Sequence, residues 1–212
     1  MAAATPEPVL RVEALGFAYP GQPPLFDTLS FALPPGLSLL QGDMSSGKTT
    51  LLKLLAGDLQ GTGERHLPGL RLRDDPAAWR SAVCGFDPRD AAFDALTPQG
   101  LMQALKQRHP TVDEAGWQAH VQAFGLAPHA AKPLYALSTG LRRKAGLAVA
   151  LASGCPLTLL DEPAGGLDGP GLAHLRRALE RAARAPQRAL LLVCSQGLDD
   201  LPLAATLSLP PR

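Results

Sequence analysis

The spacing of apolar residues changes several times along the chain, and these changes predict alternating strands and helices. Two segments with alternating apolar and polar residues, VLRVEALGFAY and LFDTLSFAL, are separated by the turn-forming stretch PGQPP. They predict an antiparallel pair of strands near the N-terminus. Later apolar runs of strand length occur in GLSLLQG, PLTLLDEP and ALLLVCS, and helical patterns lie between them. This order predicts an α/β fold with a mainly parallel sheet.

Shorter segments complete the predicted order. Strands are expected around GERHL and LRLRD, within WRSAVCGFDP, and at TLSL near the end. From Thr97 to Leu137 the pattern is helical, with no strand between TPQGLMQALKQRH and VDEAGWQAHVQAFG. Further helices are expected from about Thr139 to Ser153 and from about Pro170 to Arg184. We therefore expect a single domain over residues 1–212, with a small helical subdomain at about residues 90–137.

Composition and charge exclude several classes of protein. The 212 residues are 46% hydrophobic and carry a formal net charge of +1, which fits one α/β core and gives no general preference for nucleic acid. The N-terminus lacks the cationic start and apolar core of a signal peptide, and no apolar run approaches a membrane-spanning length. A cytoplasmic protein is expected. Cys84, Cys155 and Cys194 are far apart in apolar segments and are expected to be buried thiols.

The stretch GDMSSGKTT, from Gly42 to Thr50, lies between a predicted buried strand and a predicted helix that ends at Gly57. Gly42 and Gly47 allow backbone N–H groups to turn toward phosphate oxygens, and the helix adds its positive end. Lys48 is expected to reach the β- and γ-phosphates, and the Thr49 hydroxyl to ligate Mg²⁺. The stretch therefore predicts a nucleotide site of the P-loop NTPase kind.

A second motif ends the strand in PLTLLDEP. Asp161 and Glu162 follow a buried apolar run, so their side chains are expected at the carboxyl edge of the parallel sheet, beside the phosphate loop. Asp161 is placed to hold Mg²⁺, directly or through water. Glu162 is placed to orient or deprotonate a water molecule that attacks the γ-phosphate.

A third motif occurs where YALSTGLRRKAGLAVALA begins a predicted helix. Ser138 and Gly140 lie at that start, so a hydroxyl, backbone N–H groups and the helix dipole point at one place. Alone, this pattern describes only a capped helix with a basic first turn. Between a phosphate loop and an Asp-Glu strand, it predicts a second anion site in the same chain.

Together these motifs resemble the ATP-binding cassette (ABC) ATPases, the motor subunits of ABC transporters. The stretch GDMSSGKTT resembles the Walker A motif, LSTGL the LSGGQ signature, TLLDEP the Walker B motif, and AGGLD a D-loop that ends at Asp168. FAYP resembles the N-terminal aromatic element, with Tyr19 as the residue that stacks on adenine. The match runs in order from about Val9 to the end. The compact size also resembles the small haem-exporter cassettes of cytochrome c maturation, one subfamily that the sequence fits.

The resemblance implies ATP and Mg²⁺ as ligands and a head-to-tail pair of cassettes, as a homodimer or a heterodimer, with each ATP between the Walker motifs of one and the signature of the other. It also implies an integral membrane subunit as partner, and a position at the inner face of the cell membrane. The catalytic residues it implies are Glu162 and Gln196, and the metal ligands are Thr49 and Asp161. The residues it implies for nucleotide binding are Tyr19, Gly42, Asp43, Ser45, Ser46, Gly47, Lys48, Thr49, Thr50, Arg89, Ser138, Gly140 and Asp168.

Three departures from the family pattern bear on the rate of hydrolysis. Aligning GFDPRD with the usual loop places Arg89 where the family has glutamine. The signature has Thr139 for glycine and Leu141 for glutamine. Gln196 replaces the switch histidine at the end of ALLLVCSQ, and glutamine can donate a hydrogen bond but carries no positive charge. These departures predict a working but slow ATPase.

Other functions remain as alternatives. A switch that binds ATP without turnover is favoured by Arg89 and Gln196. A non-transport ABC protein that acts on DNA or ribosomes would need a long insertion, or two cassettes with a charged linker, and this sequence has neither. A P-loop kinase would not need LSTGL followed by LDEP and LD.

The predicted helix in GPGLAHLRRALERAARAPQR is basic on one side. This pattern is typical of a solvated helix face, and contact with anionic lipid is the alternative. The residues on this predicted basic face are Arg176, Arg177, Arg181, Arg184 and Arg188.

Overall fold

The computed structural model describes residues 7–85, 87, 91–194, 198 and 200–210, and in this part of the chain it contains nine strands and six α-helices. The strands are β1 Leu10–Phe17, β2 Phe26–Leu33, β3 Gly36–Gln41, β4 Thr62–Leu67, β5 Leu70–Arg71, β6 Val83–Gly85, β7 Leu157–Asp161, β8 Ala189–Val193 and β9 Leu203–Ser208. The helices are α1 Lys48–Ala56, α2 Pro76–Ala82, α3 Pro98–Arg108, α4 Glu114–Ala123, α5 Thr139–Ala152 and α6 Gly169–Ala182. The predicted α/β fold is confirmed.

The central sheet is parallel and has the strand order β6-β7-β8-β3-β9. Its middle strand β8 is buried along its whole length. Leu190 and Leu192 pack into the core on one face of the sheet, and Leu191 and Val193 pack into the core on the other. Because both faces are covered, this strand is a continuous apolar run in the sequence rather than an alternating one.

The second sheet is antiparallel and has the order β2-β1-β4-β5. The predicted N-terminal pair is therefore confirmed as β1 and β2. The expected strand at LRLRD is only the two residues of β5, since the chain turns into α2 soon afterwards. This sheet lies against the phosphate-loop helix through shared apolar residues such as Leu10, Leu15 and Leu54.

Helix α2 was not predicted from the hydrophobic pattern. It begins at an Asp-Pro pair: the Asp75 carboxylate accepts hydrogen bonds from the N–H groups of Ala77 and Ala78, and Pro76 occupies the first helical turn. Trp79 anchors the helix, because it is fully buried and its indole N–H donates to the Leu55 carbonyl over 2.8 Å. The predicted strand in WRSAVCGFDP is confirmed, but it covers only Val83–Gly85.

The region predicted to be helical contains α3, α4 and two short 3₁₀ turns, Ala127–His129 and Leu134–Ala136, and α3 and α4 pack on α5. The described residues 97–137 contain no strand. The proposed boundary near residue 90 adjoins residues 86 and 88–90, which lie outside the described residues. None of the described helices combines the length and apolar character that crossing a bilayer requires.

Two smaller predictions need correction. Cys84 and Cys155 are buried free thiols as expected, but Cys194 is only half-buried. Arg188 does not belong to the basic face of α6, because it follows the helix and turns inward. Its guanidinium donates to the carbonyls of Ala150 and Leu151 in the last turn of α5, where helix carbonyls need partners from outside the helix.

Candidate nucleotide site

The phosphate loop connects β3 to α1, as predicted. Gly47 begins the helix with a φ of +98°, and a Cβ atom at this position would lie 2.9 Å from side-chain carbons of both Leu25 and Phe26. Both the backbone conformation and the lack of space therefore require glycine. The first N–H groups of α1 and the positive end of its dipole face the loop, where an anion would be stabilised.

Lys48 folds over the loop. Its ammonium donates to the carbonyls of Gly42, over 2.8 Å, and of Asp43, over 2.7 Å. An ammonium has three N–H donors, so these two bonds fix its position and leave one donor for a phosphate oxygen. The Lys48 ammonium, which was predicted to contact the β- and γ-phosphates, therefore lies at the phosphate loop.

Ser46 provides an independent sign of an anionic ligand. Its side chain is 4% exposed, and its hydroxyl has no hydrogen-bond partner among the described residues. A buried hydroxyl without a partner costs free energy, so such a group indicates a bound ligand or water. A phosphate oxygen fits this position, because the hydroxyl can donate to it. Asp43 closes the turn by accepting the Ser46 backbone N–H over 3.2 Å.

Tyr19 lies beside the loop. Its hydroxyl forms a 3.0 Å hydrogen bond with the Thr50 hydroxyl, and the residue is 44% exposed. Phe17 packs edge-on against it, with the ring centroids 4.9 Å apart. The exposed ring can therefore receive an aromatic base. A cavity of about 250 Å³ joins this ring to the phosphate loop, and its lining residues include Tyr19, Ser45, Gly47, Lys48, Thr49 and Thr50.

A hydrogen bond joins the loop to the end of β7. The Thr49 hydroxyl donates to a carboxylate oxygen of Asp161 over 2.7 Å, although β8 lies between β3 and β7 in the sheet. Hydroxyl and carboxylate oxygens are the ligands that Mg²⁺ prefers, and a nucleotide metal is bound by only one or two protein groups in addition to phosphates. These two residues fit a divalent cation.

Glu162 follows directly and has an unusual backbone. Its φ is +48°, a left-handed conformation that is uncommon for a residue with a side chain. Two backbone hydrogen bonds fix this conformation: its N–H donates to Val193, and its carbonyl accepts from Gly165. Left-handed non-glycine residues are concentrated at active sites, where the surrounding structure offsets their cost. The half-buried Glu162 is thus held next to Asp161.

Ser138 caps α5 as predicted. Its hydroxyl accepts the Leu141 N–H over 3.3 Å, and Gly140 lies in the first turn. Within the described part of the chain, no hydrogen bond or ion pair joins either residue to residues 42–50. The structure thus brings Tyr19, the phosphate loop and Asp161 together, while the second predicted anion site lies at the start of α5.

Asp168 caps α6. One of its carboxylate oxygens accepts the Gly171 N–H over 3.0 Å and lies 2.8 Å from the Lys144 ammonium. Lys144 lowers the pKa of the Asp168 carboxyl, and the Gly171 N–H acts in the same direction. The predicted residues Arg89 and Gln196 lie outside the described residues.

The contacts of Arg143 and Lys144 were not predicted. Both residues were read only as part of a basic first turn, yet they contact residues 165–168, which follow Glu162. The sequence does contain a signal for Lys144, because this cation directly precedes the apolar run AGLAVALA on the same helix. A buried cation requires a carboxylate partner.

The phosphate loop, the Thr49–Asp161 hydrogen bond and the parallel sheet are the features of a P-loop nucleotide-binding protein. The solved structure described as "Structure of ATP binding subunit of ABC transporter" shares the fold, with a TM-score of 0.78 and 21% identity over 88% of this chain and 80% of its own.

The ABC transporter family model matches residues 26–165. The Cupriavidus necator cytochrome c biogenesis ATP-binding export protein CcmA is 35% identical over 97% of this chain and 89% of its own length. The Rhodobacter capsulatus cobalt import ATP-binding protein CbiO is 33% identical over 95% of this chain and 73% of its own length. The chain belongs to the ABC transporter family, and it is an ATP-binding ATPase subunit of that family.

Proposed function

We propose that this chain hydrolyses MgATP at a site built from the phosphate loop and the end of β7. The observation that carries the proposal is the 2.7 Å hydrogen bond between Thr49 and Asp161, because it joins the two motifs into one oxygen-rich site. When bound, Mg²⁺ would be held by these two residues and would neutralise charge on the phosphates.

Each residue of the site has a distinct proposed task. Lys48 and the N–H groups at the start of α1 bind and orient the phosphates, and the Ser46 hydroxyl gains a partner in a phosphate oxygen. Tyr19 stacks on the base. Glu162 accepts a proton from the attacking water and orients that water toward the γ-phosphate.

A second cassette completes the proposed site. Ser138 and Gly140 form an anion site at the start of α5 that makes no described contact with the chain's own phosphate loop. Because one sequence carries both halves, two copies packed head to tail would form two complete ATP sites. Closing and opening of this pair would move separate membrane subunits, with this chain at the cytoplasmic face of the membrane.

The transport system proposed for the chain is an exporter of cytochrome c biogenesis. The similarity to CcmA supports this choice, because it extends over 97% of this chain and 89% of the relative, whereas the match to CbiO covers only 73% of that relative. Turnover is proposed to be slow, since Arg89 and Gln196 replace the residues that the family uses near the γ-phosphate.

Nucleotide binding and hydrolysis by three proteins test this function. The wild type should bind MgATP and release phosphate. Lys48→Ala should bind at least tenfold more weakly, because a charged hydrogen bond to phosphate contributes about 1.5–3 kcal/mol. Glu162→Gln should bind ATP like the wild type and release no phosphate. Lys106→Ala, at a surface ion pair with Glu114, is the matched control and should behave like the wild type.

Two results would contradict the proposal. If the wild-type protein shows no calorimetric binding at millimolar MgATP, the assignment of the nucleotide site is wrong. A wild-type protein that binds MgATP but releases phosphate no faster than Glu162→Gln would favour the non-hydrolysing switch.

A further inference from the structure

The first two turns of α5 fit closely against the segment that leads from Glu162 to α6, residues 163–168. A Cβ atom on Gly140 would lie 2.5 Å from the Gly166 carbonyl oxygen, so the two backbones approach as closely as glycine permits. The Arg143 guanidinium donates to the Gly165 carbonyl. Lys144 forms an ion pair with Asp168, where α6 begins. These three contacts, which we call the α5 clamp, connect the second anion site to the end of β7.

Lys144 is the buried member of the clamp. Its side chain is 9% exposed, while that of Asp168 is 59% exposed. A buried ammonium needs a carboxylate partner, and within the described residues Asp168 is the only carboxylate that pairs with it. The same Asp168 oxygen caps α6 through Gly171. Lys144 thus holds the carboxylate that ends the segment and caps α6.

We propose that Lys144 is a positioning residue for ATP hydrolysis, which fixes the anion site at Ser138 and Gly140 relative to Glu162 in the same chain. The inference rests on the proposed function, in which Glu162 acts on the chain's own ATP while Ser138 and Gly140 contact the ATP of the second cassette. Because the clamp spans only residues 140–168 and is made of direct contacts, the two groups move as one body. When the second cassette docks against Ser138 and Gly140, it therefore also fixes the position of Glu162 at the chain's own ATP.

Lys144→Met separates positioning from folding. Methionine has a similar length and fills the same buried space without a charge. Removing one partner of an ion pair is strongly destabilising when the other partner is left buried and unpaired, and here the remaining partner, Asp168, is 59% exposed. Asp168 keeps its bond to Gly171 and is exposed to water, so its charge stays solvated. The contact between α5 and Asp168 is the interaction that the substitution removes.

The experiment compares the wild type with Lys144→Met, Arg143→Met and Lys106→Met for thermal unfolding, ATP affinity, kcat and KM. Lys144→Met should keep its melting temperature and ATP affinity and lose between roughly tenfold and a hundredfold in kcat, as expected for a misplaced catalytic group. Arg143→Met removes a second clamp contact without changing Lys144, and it should lower kcat in the same way. Lys106→Met, which removes a surface ion pair elsewhere, should match the wild type.

Two outcomes overturn the inference. If both clamp variants keep the wild-type kcat, the clamp does not position Glu162. If ATP affinity and melting temperature fall in parallel with kcat in both variants, the clamp only holds the fold. A wild-type chain that lacks ATPase activity would contradict the proposed function instead, so the two failures are distinguishable.

Discussion

Single residues determine what the nucleotide site can do. Glu162 adopts a positive φ that costs a residue with a side chain about 1–2 kcal/mol, and hydrogen bonds to Val193 and Gly165 hold it there. Asp161 in turn accepts the Thr49 hydroxyl. One carboxylate therefore contacts the phosphate loop while the backbone holds its neighbour in a different orientation, which separates the proposed metal ligand from the proposed base.

Gln196 is expected to limit the rate at this site. In the family, a histidine at this place donates to the γ-phosphate, and losing one such donor costs about 2.7–4 kcal/mol, or roughly 10²–10³ in rate. Glutamine recovers part of this through its amide. Gln196→His should therefore raise kcat and leave ATP affinity unchanged, because the contact matters most in the transition state. Steady-state ATPase rates and calorimetric affinities measure the two effects.

Arg89 belongs in the same experiment. Both residues are expected near the γ-phosphate, so their effects should not simply add. The pair Arg89→Gln with Gln196→His should give the highest rate of the series. A double variant that binds ATP but stays at background hydrolysis would contradict the slow-motor account.

Among the elements, α4 and α6 are joined by two histidines. The Nδ1 atom of His120 lies 2.9 Å from the Nε2 atom of His174, and the Phe124 ring packs edge-on against His174 with a centroid distance of 4.6 Å. Burial, His174 and the nearby Arg181 and Arg188 lower the pKa of His120 to about 4, against a smaller opposite effect of Asp113. Burial, Arg181 and Arg177 also lower the pKa of His174.

The His120–His174 pair predicts that the folded chain loses stability at acid pH. The pKa of His120 is about 4 in the folded chain and near 6.5 in the unfolded chain, so its contribution to stability is complete above pH 6.5 and is lost as the pH falls toward 4. The lowered pKa of His174 acts in the same direction. After allowance for partial exposure, the loss between pH 7 and pH 5 should be about 1 kcal/mol. Replacing both histidines by glutamine should reduce this loss in urea unfolding at the two pH values. Equal losses in the variant and the wild type would contradict the assignment.

Local patterns were sufficient to predict some elements and not others. The phosphate-loop strand and α1, with its end at Gly57, follow from one apolar run, a glycine-rich turn and a glycine cap. Helix α2 was missed because its seven residues give too little periodicity, although Asp75 and Pro76 mark its start. Arg188 was misassigned because a helical projection cannot show that the helix ends at Ala182.

In the candidate site, too, some contacts could be predicted from the sequence and others could not. Thr49 and Asp161 are 112 residues apart in sequence, and their proximity could be predicted because parallel strands share one carboxyl edge. For the Lys144–Asp168 pair, only the need for a carboxylate partner could be predicted, because Lys144 directly precedes an apolar run. The identity of that partner could not, since it depends on how α5 packs against the segment after Glu162.

At the scale of the whole molecule, the proposed function divides the ATP site into two halves. The phosphate loop, Tyr19 and Asp161 are proposed to form one half, and Ser138 with Gly140 at the start of α5 is proposed to form the other. The α5 clamp joins the start of α5 to the segment that follows Glu162 in the same chain. A head-to-tail pair would bring complementary halves together twice, so ATP should hold two copies together until it is hydrolysed.

Sedimentation velocity of Glu162→Gln with and without MgATP tests this account most directly. Without nucleotide the protein should sediment as a single chain. With MgATP it should sediment as a dimer of twice that mass, because the variant binds ATP without cleaving it. Adding Ser138→Arg to the same variant should abolish the shift while calorimetric ATP binding persists. A Glu162→Gln protein that binds MgATP and still sediments as a single chain at every protein concentration would contradict the claim that a second copy completes the site.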